Sequence, residues 1–403
     1  MSSKVLVRHG FRSAVLAALI LFTLSTFAAT ISTRHETRSN HKIKESPATE
    51  KRLASTRHSR VVAHGKAHVV AASRSHRYGE RFTASSYNEY PEAGDVALGE
   101  DPIVRQAAID ALGNLNGTVV AIDPASGRIL AMVNQKLALS SGAQPCSTIK
   151  VSVALAALSE GIVTKETMVN LGGWKMNMNQ ALAHSNNQYF EALGRRLGFQ
   201  KVSYYAHQFG LGELAGWNIQ GEHLGVYPSE ELPASLGGVG KMCSFGESVS
   251  MTPLQLGALM AAIANGGTLF YLQHPQSADE IASFQPKVKR YLDIAPLIPE
   301  VSVGMLGATR FGTARSLRAS FNSEEVLGKT GTCSNAGTRF GWFGSFTNTA
   351  SGRIVTVIFL QGDRAVYGPK AAELAGRFYH NLDEHNYFAS KNAPLKSAVL
   401  LGK

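Results

Sequence analysis

The chain has 403 residues, enough for one large domain or two ordinary ones, and its hydrophobic content of 44% is ordinary for a globular core. The formal charge of +11 is concentrated at one end: residues 1–82 hold 15 Lys and Arg against 4 Asp and Glu, and the remaining 321 hold 25 of each. The folded part is therefore neutral, which argues against a nucleic-acid-binding domain. Seven of the 13 histidines also lie in the basic end, without metal-ligand spacing. No metal and no cofactor are expected.

Residues 1–12 form a basic tip with Lys4, Arg8 and Arg12. Residues 13–33 are uncharged and apolar mainly from Ala14 to Ala29. This stretch is long for a signal-peptide core and short for a comfortable span. It is read as an uncleaved membrane anchor, with a cleaved signal ending near Thr26-Phe27-Ala28 as the alternative. Arg34, Arg38, Lys42 and Lys44 follow it and favour the cytoplasmic side, a preference that a long following domain overrides. Residues 34–99 show no sustained helical or strand period and read as a disordered basic linker.

The folded region is expected over residues 100–385, with 386–403 as a tail. A short helix is predicted over 106–112. Two β-rich runs, 117–123 and 128–133, flank the turn Pro124-Ala125-Ser126-Gly127 and predict a hairpin. A helix is predicted from Ser147 to about residue 161, a second over 180–197 and a third over 201–209. Thr252-Pro253 opens a strong helix through 264, which Asn265-Gly266-Gly267 stops. Strands are predicted over 325–332, 341–346 and 353–360, and a closing helix over 371–381. The fold class is α/β in the broad sense, more narrowly α+β. It has an antiparallel sheet built from both chain ends, flanked by helices, with an inserted all-helical subdomain.

Three short motifs carry the chemistry: Ser147-x-x-Lys150, Ser185-x-Asn187 and Lys329-Thr330-Gly331. One helical turn separates Ser147 from Lys150, so hydroxyl and amine can meet. A serine hydroxyl needs an adjacent base and donors for the developing oxyanion, and a helix start supplies free N–H groups. Singly the motifs are cheap. Ser39-x-x-Lys42 is a second copy of the first, and Ser86-x-Asn88 and Ser320-x-Asn322 repeat the second. Alone, Ser147 reads as a helix cap and Lys150 as a surface residue. Lys-Thr-Gly occurs once, and the order of the three is the signal.

On these motifs the chain resembles the penicillin-binding transpeptidase family. The resemblance covers about residues 100–385. It extends to Gly117-Thr118-Val119-Val120-Ala121-Ile122-Asp123-Pro124, to Ser250-Met251-Thr252-Pro253-Leu254-Gln255-Leu256, to Gly312-Thr313-Ala314 and to Gly341-Trp342-Phe343. It implies that Ser147 is acylated, that Lys150 is the base and that Ser185 relays a proton. Asn187, Lys329, Thr330, Gly331 and Thr332 would bind substrate, and the N–H groups of Ser147 and Thr332 would form the oxyanion hole.

The implied partners are peptidoglycan stem peptides ending in D-Ala-D-Ala, β-lactams as covalent ligands, the membrane and proteins of cell-wall synthesis, but no nucleic acid. The implied location is the inner membrane with an extracytoplasmic domain, or secretion if the signal is cleaved. The first two motifs stand 38 residues apart, closer than the family pattern suggests. No second folded domain is visible, so the chain reads as transpeptidase-only.

Cys146 precedes the nucleophile and Cys333 follows Lys-Thr-Gly-Thr. The resemblance, through some carbapenem-hydrolysing class A β-lactamases, implies a Cys146–Cys333 bridge and leaves Cys243 free. The alternatives are a D,D-carboxypeptidase, a β-lactamase, and a non-catalytic sensor or scaffold. Glu191 and Glu222 lack the Glu-x-x-Leu-Asn context of a class A deacylating glutamate. Asn187 stands where class D enzymes carry valine.

Overall fold

The computed structural model describes residues 80–347 and 352–390. Helix α1 (Pro102–Leu112) starts at Asp101, whose carboxylate accepts from the N–H groups of Ile103 and Val104. It begins a turn before the predicted 106, at this Asp-Pro cap. Strands β1 (Gly117–Asp123) and β2 (Arg128–Val133) form the predicted antiparallel hairpin. Next come helices α2 (Lys150–Ser159), α3 (Met178–Ala183), α4 (Asn187–Leu197), α5 (Phe199–Gln208), α6 (Gly238–Phe245), α7 (Pro253–Asn265) and α8 (Ile298–Arg310). Strands β3 (Val326–Asn335), β4 (Thr338–Thr347) and β5 (Val355–Gly362) and helix α9 (Gly368–Glu384) follow.

The five strands form one sheet in the order β2–β1–β5–β4–β3, with antiparallel neighbours throughout. Val119 of the first strand pairs with Ile358 of the last, so both ends of the folded region build one sheet. Side-chain alternation divides β1 between two cores. Val119 and Ala121 join α1 and α9 on one face, while Val120 and Ile122 join α7 and the helical half on the other. The expected α+β architecture is what the chain adopts, but the inserted part is not all-helical: it also holds two short antiparallel strand pairs, Val169–Asn170 with Lys175–Met176 and Thr268–Tyr271 with Lys287–Tyr291.

Helix α7 is the spine between sheet and helical half. Every residue from Pro253 to Ala264 is buried. Each fully buried leucine or isoleucine there contributes about 1.5–3 kcal/mol. A capping box opens the helix: Gln255 N–H donates to Thr252 Oγ1 at 3.1 Å, and Thr252 N–H to Gln255 Oε1 at 2.9 Å. Gly266, in the left-handed region, closes it.

Two expected boundaries need correction. The expected linker, 34–99, runs too far: residues 80–99 pack on the domain. The Ser86 hydroxyl donates to Asp363 Oδ1 at 2.6 Å and accepts from Asp363 N–H at 2.8 Å. The Asp95 carboxylate accepts from the N–H groups of Asn134 and Gln135, at 3.0 and 2.8 Å, and from Arg105 at 3.2 Å. These contacts are polar and long-range, so they leave no hydrophobic period. The expected tail, 386–403, starts too early: Tyr387 and Phe388 are buried in the core beside α9. The anchor segment and most of the linker lie outside the described residues. Among the described residues no helix is long and apolar enough to cross a membrane.

A chain beginning at residue 80 is expected to resist urea better than one beginning at residue 100. Loss of Asp95 leaves Arg105 and two N–H groups without that partner, at about 1–3 kcal/mol for each group left unsatisfied. Equal unfolding midpoints would show that the segment contributes nothing.

Candidate active site

Ser147 lies in a 3-10 turn, Cys146–Ile149, that runs directly into α2 at Lys150. The predicted α-helical start is thus a tighter turn. In 3-10 geometry residues three apart eclipse one another, and Ser147 Oγ comes within 2.6 Å of Lys150 Nζ. Cys146, just before, has φ +53°, unfavourable for a side chain with a Cβ.

The predicted helix over 180–197 is broken. α3 ends at Ala183 and α4 begins at Asn187, with Ser185 between them at φ +56°. Asn186 N–H bonds back to Ala181 O at 2.9 Å and Ser185 N–H to Leu182 O at 3.2 Å, a left-handed helix stop where glycine is usual. Serine hid the stop from the sequence pattern. Asn186 then caps α4, accepting from Tyr189 N–H at 2.8 Å. The break presents both the Ser185 hydroxyl and the Asn187 amide to Lys150.

Lys150 is completely buried. Its Nζ stands 2.6 Å from Asn187 Oδ1, 3.1 Å from Ser185 O and 3.3 Å from Ser185 Oγ. Lys329, also completely buried, donates to Ser185 Oγ at 2.8 Å and to Thr330 O at 2.9 Å. Burial first, and then the neighbouring Lys329 charge, lower the Lys150 pKa from 10.5 to about 6, against an upward pull from Glu191. Burial lowers Lys329 to about 7.

A neutral lysine has two N–H groups and one lone pair. Ser185 O and Asn187 Oδ1 can only accept, so they occupy both N–H groups. The lone pair is left for the Ser147 hydroxyl, the arrangement a general base requires.

Two glycines permit the convergence. A Cβ on Gly312 would lie 2.0 Å from Ala183 O, and one on Gly331 would lie 2.8 Å from Pro145 O. Thr313 N–H also donates to Ala183 O, at 3.1 Å. A disulfide joins Cys146 and Cys333, with Cα atoms 5.5 Å apart, and Cys243 is free and buried. Trp342 backs the junction, donating from Nε1 to Gln144 O at 3.0 Å.

Five of the expected site residues, Ser147, Lys150, Ser185, Asn187 and Lys329, form one hydrogen-bonded cluster. The side chains of Thr330 and Thr332 stand apart from it, because alternation along β3 turns them away from Lys329. Thr330 is buried, with its hydroxyl 2.6 Å from Thr313 Oγ1. Thr332 Oγ1 accepts from Gly368 N–H at 2.7 Å, which leaves its hydroxyl proton free to donate. Gly331 contributes backbone alone. Sequence reasoning missed the aromatic rings of Phe190 and Phe245, 5.7 and 5.9 Å from Lys150 Nζ. It also gave Thr313 no role, although Gly312-Thr313-Ala314 marked the place.

The family model of the penicillin binding protein transpeptidase domain matches residues 117–380. The chain belongs to that family. It is 28% identical over 257 residues to stage V sporulation protein D of Bacillus subtilis, covering 53% of this chain and 39% of that protein. It is 27% identical to the peptidoglycan D,D-transpeptidase MrdA of Acinetobacter baumannii, covering 43% of this chain and 34% of that one. With the peptidoglycan D,D-transpeptidase PbpA of Mycolicibacterium smegmatis it shares 25% identity over 73% of both chains. The chain spans about a third to a half of the length of the first curated relatives it matches. The crystal structure of Pseudomonas aeruginosa PBP2 shares the fold, with a TM-score of 0.61, 22% identity and coverage of 71% of this chain and 74% of that one.

In this penicillin-binding protein domain the two lysines are electrostatically coupled. Lys329→Met removes the positive charge that depresses Lys150, so the Lys150 midpoint is expected to rise from about 6 towards the ordinary value of 10.5. An NMR titration of the Lys150 amine reads this directly. A midpoint that stays put or falls overturns the coupling.

Proposed function

We propose that this chain is a peptidoglycan D,D-transpeptidase that forms a serine acyl-enzyme with stem peptides ending in D-Ala-D-Ala. The observation that carries the reading is the completely buried Lys150 amine, 2.6 Å from Ser147 Oγ, with its other contacts to oxygens that accept.

Ser147 Oγ attacks the carbonyl carbon of the penultimate D-Ala, and its proton passes to Lys150. The peptide C–N bond breaks. Ser185, in contact with both lysines, passes a proton to the departing amine. Lys329 charge draws the substrate's terminal carboxylate. An amine from a second stem peptide then attacks the ester and regenerates the serine hydroxyl.

The oxyanion forms against the N–H groups of Ser147 and Thr332. The disulfide partners are the immediate neighbours of these two residues, so the bridge braces both donors. One such donor is worth roughly a hundred- to a thousandfold in rate. A β-lactam would acylate Ser147 by opening its ring amide, and its leaving group would stay tethered. The disulfide favours an oxidising compartment, in accord with an N-terminal anchor and an extracytoplasmic domain.

The β-lactamase reading needs a deacylating carboxylate. Glu191 is instead shared among Lys241, Arg195 and Ser244, and Glu247 accepts from Gln144 Nε2.

The test is incubation of the soluble part with a fluorescent penicillin, followed by assays of D-Ala release and of cross-linking to an added amine acceptor. A stable adduct is expected, and Ser147→Ala should reduce its formation by roughly a thousandfold or more. Rapid turnover would favour a β-lactamase. Absence of an adduct from the unaltered protein would leave a scaffold.

A further inference from the structure

The Lys150 amine is enclosed by oxygens on one side and by two aromatic rings on the other. Phe190, on α4, is completely buried in the core. Phe245, the last residue of α6, keeps part of its surface exposed. Its ring is therefore the apolar partition between the lysine pocket and solvent on the α6 side.

Several contacts hold this ring in place. Gln144, three residues before the nucleophile, donates from Nε2 to Phe245 O at 3.1 Å and to Glu247 Oε2 at 3.1 Å. Gly246, at φ +67°, turns the chain so tightly against Pro145 that a Cβ there would lie 2.3 Å from Pro145 Cγ. Lys241 Nζ lies over the Phe245 ring at 4.5 Å. The segment that carries Phe245 is thus fastened to the segment that carries Ser147.

We infer that Phe245 is the residue that decides the fate of the acyl group: its ring keeps water from the Ser147 ester, so that an amine acceptor rather than water completes the reaction. The inference rests on the acyl-transfer reading above and specifies how that site is regulated against hydrolysis.

Hydrolysis would add a water oxygen to the acyl carbon and break its bond to Ser147 Oγ. The water's proton must go to a base and a proton must return to Oγ. Among the described residues no carboxylate is hydrogen-bonded to Ser147, Lys150 or Ser185, so Lys150 is the base within reach. A hydrolytic water must then lie within about 3 Å of Nζ. Lys150 has no surface exposed to solvent, with oxygens in contact with its amine and the two rings behind them. Removing the phenyl group would open a space beside a polar amine large enough for a water, whose share of liquid volume is about 30 Å³. An acceptor amine arrives on a second stem peptide, whose remote binding energy can be spent on reaching the ester, as that of a lone water cannot. Phe245 is a positioning residue: it acts through what it excludes.

The experiment measures formation and loss of the fluorescent penicillin adduct separately, in the full chain and in Phe245→Ala and Phe245→Leu. In Phe245→Ala the adduct half-life should fall by about tenfold or more while its rate of formation falls by no more than about threefold. Phe245→Leu keeps apolar bulk at the site and should restore the long half-life. That opposite response separates exclusion of water from general damage, which would slow formation and spare neither variant. An unchanged half-life in Phe245→Ala overturns the inference, as does an equal shortening in both variants. If the unaltered chain forms no adduct, the acyl-transfer reading itself has failed; if its adduct is stable and Phe245→Ala is equally stable, only the shielding role has.

Discussion

The site depends on an amine that has been taken out of water. Lys150 would be a poor base on the surface, because at neutral pH it would hold its proton. Complete burial and the nearby Lys329 charge reverse that preference. The cost is borne by the fold, since an unfolded chain would hydrate and protonate both lysines. Unfolding therefore takes up protons, and this pair makes stability rise with pH from the depressed values towards the ordinary lysine value. The placement destabilises the protein at neutral pH.

Keeping the amine dry requires backbone from distant parts of the chain to meet closely. The nucleophile's turn, the break between α3 and α4 and the edge strand β3 converge within hydrogen-bonding distance. Gly312 and Gly331 remove the Cβ atoms that would keep these segments apart. The disulfide covalently joins two of them, across a sequence separation of 187 residues. Helix α7 sets the platform, buried between the sheet and the helical half. Residues without chemistry of their own thus decide whether the reactive ones can meet. The positive φ at Cys146 and Ser185 is part of the same requirement: both residues hold strained backbone beside a reactive side chain.

The strands that alternate cleanly and the helices with explicit caps were legible, because hairpin turns and the Thr252-Pro253 start are local signals. The three motifs were legible as a set, because the chemistry restricts which side chains can serve. Other features were hidden for identifiable reasons. The stop at Ser185 carries no glycine, so apolar periodicity runs through it. Residues 80–99 are held by polar contacts such as Ser86 with Asp363, which leave no pattern in composition. Thr330 and Thr332 share one motif with Lys329, yet alternation along β3 sends them to the other face of the strand.

The sequence by itself determined the candidate groups: a hydroxyl one turn from an amine, with a second amine and an amide in a set order. It also determined the α+β layout, since two β-rich ends flank a helical middle. Only the tertiary structure decided that the amine is dry, which rings enclose it and where its hydrogen bonds go. Burial and lone-pair direction are sums over contacts between residues far apart in the chain. Phe245 and Lys150 are 95 positions apart, and no local pattern records that one covers the other.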